Sequence, residues 1–152
     1  MPNFATHRKI NYIMLFLFLF LYFYYGLKQD YKQIVVNIRT IFVFLVSYVL
    51  GTELFSPDLD TNSIPSKKLG FIYRPMRWLY PHRGKLHNIF LGWIIQIVYL
   101  VVILVIIFII ADKVGHNLYW IASYVEFKDI AAFLAGLFLS DAIHILADKI
   151  NL

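Results

Sequence analysis

The chain is 152 residues long, 61% hydrophobic and 15% charged, against roughly 45–50% and about 25% for a typical soluble domain. That balance argues against an ordinary soluble enzyme, and the length allows a single membrane domain over residues 1–152 with no room for a second. The lack of cysteine excludes disulfides, thiolate zinc sites, iron–sulfur ligation and cysteine nucleophiles, while a net charge of +5 in so apolar a chain points to membrane lipids or phosphate, with no nucleic acid expected.

Four apolar stretches, 10–26, 34–51, 89–111 and 130–147, predict an all-α membrane protein of four transmembrane helices. The first alternates Leu and Phe like a strand but is far too long for one. It ends in Tyr-Phe-Tyr-Tyr-Gly without a small-residue cleavage site, so it reads as a span and not a signal peptide, with Tyr22, Tyr24 and Tyr25 as an aromatic belt. The second carries Asn37 and Arg39 near its start, where Arg39 is expected to snorkel to the headgroups. Between the second and third spans lies a long loop, 52–88, holding four of the five prolines and six of the fourteen basic residues. Long ordered loops on a rigid scaffold tend to carry function. After the third span, residues 112–129 form a short interfacial segment with Tyr119, Trp120, Tyr124 and Phe127, and with a lone, solvated His116. The fourth stretch contains Ser140, Asp141 and His144 and leads to Asp148, polar groups that must face protein or a wet cavity. Its Ala132, Gly136 and Ser140 recur every four residues, a small-residue stripe that allows close helix packing.

Four spans put both termini and loop 52–88 on one side. That side carries Arg8, Lys9, Lys67, Lys68, Arg74, Arg77, Arg83, Lys85 and Lys149, against Lys28, Lys32, Lys113 and Lys128 opposite. The excess predicts a multi-pass protein of the cell membrane with the termini and loop in the cytoplasm. The same face collects His7, Asp58, Asp60, His82, His87, Asp141, His144 and Asp148, leaving His116 as the one histidine opposite.

Asp141, His144 and Asp148 are spaced i, i+3 and i+7, within about 60° of one another on a helix. They are either metal ligands or a polar seam satisfied by loop backbone or an arginine. Ser56-Pro57-Asp58-Leu59-Asp60 presents two carboxylates in a turn, and His82-Arg83-Gly84-Lys85-Leu86-His87 places two imidazoles at the start of the third span, an end that favours anions. Arg83, between the candidate ligands, is the best phosphate clamp, whereas Lys67, Lys68, Arg74 and Arg77 fit headgroup attraction. Such a set suits one or two divalent ions, zinc, manganese or iron, that polarise a phosphoryl group and activate water. Asp58, Asp60 or Asp148 could bridge two ions, and Glu53 orients a ligand or serves as a cap or interfacial group. Neither a G-x-S-x-G elbow nor a P-loop is present.

The segments 51–60, 69–70, 74–80 and 81–87, together with His7 and the late D-x-x-H-x-x-x-D helix, resemble an uncharacterised metal-binding membrane protein family. That family is akin to inner membrane-associated metal-dependent hydrolases described as LexA-binding. The match falls at His7, at Pro57 to Asp60, at His82, Arg83 and His87, and at Asp141, His144 and Asp148; it departs at Leu86, where the family carries Ser. The resemblance implies a metal site and hydrolysis, and supplies no substrate. The expectation is therefore a metal-dependent hydrolase at the cytoplasmic membrane interface, acting on a phosphoester or lipid headgroup. Its best ligands are His82, His87, Asp60, Asp141 and His144, followed by His7, Asp58 and Asp148 as ligands or bases. The alternative is a non-enzymatic membrane protein with a structural metal site. A transporter fits less well, because its site would lie nearer the midplane.

Overall fold

The computed structural model describes residues 4–28, 38–55, 57, 64–79, 88–116 and 118–150, and every regular element among them is helical. In chain order these are α1 (Phe4–Lys28), α2 (Ile38–Glu53), α3 (Ile64–Leu69), a 3-10 turn (Gly70–Tyr73), α4 (Arg74–Leu79), α5 (Ile89–Lys113), α6 (Tyr119–Ala122) and α7 (Phe127–Ile150). Part of the long loop is thus built of short helices, and α6 occupies the expected interfacial segment.

Helices stand at all four apolar stretches, but the four-span architecture is corrected. Among the described residues two helices, α5 and α7, are long and apolar enough to cross a membrane. The 16 residues of α2 rise about 24 Å, short of the roughly 30 Å hydrocarbon core. The apolar stretch of α1 is preceded by His7, Arg8 and Lys9 and interrupted by Asn11 and four tyrosines.

Local sequence explains the helix ends. The Asn88 side chain caps α5, accepting from the backbone N–H of Phe90 (3.2 Å) and Leu91 (3.0 Å), as a short polar side chain at an N-cap should. At the other end Gly115 takes φ 86°, a left-handed conformation that closes a helix without steric penalty. At the start of α7, buried Asp129 accepts from the Glu126 N–H and pairs with Arg39 Nη2 at 2.7 Å. Arg39 also donates to the Tyr124 carbonyl and lies 3.7 Å from Glu126. The guanidinium finds protein carboxylates, which tie the start of α2 to the start of α7.

The body of the fold is α2 laid along α7. Thr40 meets Asp129, Ser47 meets Gly136 and Gly51 meets Ser140, so these two helices run in the same direction. The small-residue stripe works as expected, because a Cβ on Gly136 would lie 2.6 Å from the Phe44 carbonyl oxygen and 2.9 Å from the Tyr48 nitrogen. No larger residue allows that approach. The first helix runs the opposite way: Arg8 lies by Glu53, Asn11 by Tyr48, and Tyr22 lines one cavity with Thr40. Tyr48 Oη donates to the Asn11 carbonyl (3.0 Å), and Tyr12 Oη donates to Glu53 (2.9 Å). A core of Leu15, Tyr48 and Ile143 joins the three helices. Glu53 gathers Tyr12, Lys68 and, at 3.9 Å, Arg8, an interfacial role that ties α1, α2 and α3 together. The remaining long helix, α5, touches α7 through Trp93 and Phe90 against Phe138. Beyond that contact most of its apolar side chains are exposed.

Candidate metal centre

Antiparallel packing brings the second turn of α1 against the last turns of α7. Two buried imidazoles meet there, each 3% exposed: His7 and His144. Their rings stack with centroids 4.1 Å apart and planes inclined by 21°. Asp148, one turn beyond His144, faces both. Its Oδ1 lies 3.2 Å from His7 Nε2 and its Oδ2 lies 3.8 Å from His144 Nε2. One ligand atom from each of the three residues falls within 4.8 Å of the others.

These dimensions suit an ion. Tetrahedral coordination with bonds near 2.0–2.1 Å spaces its donors about 3.3 Å apart, so small side-chain rotations close the cluster around a metal. Two imidazoles and a carboxylate suit zinc, manganese and iron alike. The position on regular helices fixes the donors better than a loop would. Among the described residues Asp148 faces two imidazoles.

The other expected ligands fall in two groups. Asp141 lies one turn before His144 on the same face, fully buried but outside the three-residue cluster. Asp58, Asp60, His82, Arg83 and His87 lie outside the described residues. Pro57 is buried at the edge of that segment, and His116 is exposed on the α5–α6 connection. One residue with no place in the sequence reading is Gln96 of α5, 3% exposed, whose amide lies beside Asp141. Its signal is that it is the one amide within the apolar run of α5.

Comparison with known proteins agrees with this chemistry. A family model described as uncharacterized metal-binding protein (DUF2227) matches residues 2–152. The chain belongs to this family. An uncharacterized protein of Aquifex aeolicus (strain VF5) is 42% identical over 62 residues, 38% of this chain and 43% of that protein. The chain thus matches less than half the length of that relative, and no solved structure matches it. For a DUF2227 chain, the stacked imidazoles and their shared carboxylate provide a place for the metal that the family's description names.

Proposed function

We propose that the protein is a membrane-associated metal-binding protein in which one divalent ion, held by His7, His144 and Asp148, fastens the start of α1 to the end of α7. The carrying observation is that three donors from the two ends of the chain meet at one buried point. In this reading the ion contributes folding free energy directly, because no such cluster exists in the unfolded chain. Membrane attachment comes from α5 and α7. Lys67, Lys68, Arg74, Arg77, Arg83 and Lys85 before α5, and Lys149 at the end of α7, outnumber Lys113 and Lys128 between them. That asymmetry supports a cytoplasmic side for loop 52–88 and the C-terminus.

The test is elemental mass spectrometry on detergent-purified protein. Wild type should carry a divalent metal that His7→Ala and His144→Ala both lose. A folded wild type that rejects zinc, manganese and iron sinks the reading.

A second reading is hydrolysis of a phosphoester or lipid headgroup, in kinship with the LexA-binding hydrolases. It is supported by the donor set, since two imidazoles and one carboxylate also make catalytic zinc sites that keep a position for water. Arg83 would then clamp phosphate, and Asp58 would act as base. His82, His87, Asp60 and Asp141 would complete the ligand set. Turnover of a phosphoester lost in both His7→Ala and Arg83→Ala would favour this reading over a purely structural ion.

A further inference from the structure

The junction of α5 and α7 contains polar groups that the imidazole cluster does not use. Asp141 is 2% exposed and Gln96 3% exposed. The two side chains lie beside each other, and both oxygens of Asp141 and both polar atoms of Gln96 are buried without a hydrogen-bond partner of good geometry. The indole N–H of Trp93, one turn before Gln96, is in the same condition. The placement is held by packing: the Trp93 and Phe138 rings meet edge to face at 5.4 Å, and each stands three residues before Gln96 or Asp141.

Buried carboxylates without partners are costly, and an amide carbonyl shut away from water adds to the cost. Both are oxygen donors to a cation, which would remove both costs together. We propose that Gln96 and Asp141 form a second cation position at the α5–α7 junction, built of oxygen donors and suited to a hard divalent ion such as magnesium or manganese. It sits about one helical turn, about 4.5 Å of rise, from His144, so the two positions line one face of α7. Their chemistry differs. Imidazoles suit borderline ions such as zinc, while carboxylate and carbonyl oxygens suit magnesium and manganese, which bind through one or two carboxylates and keep several waters. Gln96 makes α5 part of the site, so the ion would also fix this otherwise thinly packed helix.

The proposal rests on the metal-centre reading only for the identity of its neighbour, and the experiment separates the two. Full-length protein in detergent is loaded with one equivalent of zinc and titrated with Mn2+, followed by electron paramagnetic resonance. Wild type should bind Mn2+. Gln96→Leu should weaken that binding about tenfold or more, Gln96→Glu should retain it, and Asp141→Asn should abolish it. His7→Ala should lose zinc and keep Mn2+. Circular dichroism checks that Gln96→Leu folds, and Gln96→Met repeats the test with an unbranched side chain. Mn2+ binding that is absent, or unchanged in Gln96→Leu, overturns the proposal. So does an infrared carboxylic-acid band that disappears in Asp141→Asn, because a proton then occupies the site. Mn2+ binding that depends on Gln96 in a protein unable to hold zinc would refute the metal centre and leave this position standing.

Discussion

Replacing Gly136 by alanine tests the packing that delivers α7 to the site. The new Cβ would overlap Ser47 Oγ and lie 2.6 Å from the Phe44 oxygen and 2.9 Å from the Tyr48 nitrogen. A hydroxyl can rotate, but two backbone atoms of a helix cannot move without the whole of α2. The cost therefore belongs at the upper end of the about 1–3 kcal/mol typical of overpacking. Alanine returns about 1 kcal/mol of helix propensity, leaving a net loss of about 2 kcal/mol. The matched control is Gly51→Ala, whose Cβ would overlap Ser140 Oγ and sit 3.1 Å from Ser140 Cβ. Side-chain rotation relieves most of that clash, and propensity cancels the remainder. Denaturant titration in mild detergent, read by circular dichroism, should place Gly136→Ala well below wild type and Gly51→Ala near it. Gly136→Ala should also weaken zinc binding, since moving α7 shifts His144 and Asp148 against His7. Equal stability of the two variants would refute the close approach of α2 and α7.

Chelation should lower the unfolding midpoint of wild type and leave His7→Ala unchanged; saturation at about 100 times the dissociation constant corresponds to about 2.7 kcal/mol, and a midpoint indifferent to chelator would contradict a fastening ion. Partial burial alone would raise the Glu53 carboxyl, but hydrogen bonds from Lys68 and Tyr12 and the charges of Lys68 and Arg8 hold it below the ordinary value of 4.5. A lowered folded pKa means its stabilisation is complete above that value and lost as pH falls through the folded pKa. Acid titration of Glu53→Gln should show a shallower loss below pH 4.5 than wild type, and identical slopes would count against the cluster. Arg39→Leu strips buried Asp129 of its cation and should destabilise by about 1–3 kcal/mol, tempered by the exposure of the guanidinium. Asp129→Asn, which keeps a cap, should cost less, as paired melts would show.

Helices were legible because their apolar runs are long, and the Asn88 cap and the Gly136 stripe can be read locally. The pairing of His144 with Asp148 follows from one-turn spacing. His7 is grouped with them through the span count and the family resemblance and not through any local pattern; that the three meet is a tertiary matter, set by α1 running antiparallel to α7. The Arg39–Asp129 pair was hidden for the same reason. Counting spans failed on a physical margin. Apolar composition marks burial without saying whether lipid or protein covers it, and α2 buries Ser47, Tyr48, Gly51 and Thr52 against its neighbours.

That ambiguity remains sharpest for α5, and one substitution resolves it. Ile106, near the middle of its exposed stretch, is 49% exposed, and the helix is apolar on every side. A helix apolar all round belongs in lipid or in the core of a larger body. In lipid, a lysine at the helix centre costs about 2.5–3.5 kcal/mol on insertion scales because the ammonium loses its hydration, and one at Ile106, between the centre and the end of α5, costs somewhat less. If α5 were instead exposed to water, the same lysine would replace half-exposed apolar surface and cost little. Because α7 would still hold the chain in the membrane, the readout is the steady-state level in cells: Ile106→Lys should be degraded relative to wild type. Lys113→Ile, at the helix end, should keep the wild-type level. An unchanged level of Ile106→Lys would remove α5 from the bilayer and leave α7 alone to carry the attachment. Since α7 also carries His144 and Asp148, the metal centre would then lie on the only anchoring helix among the described residues.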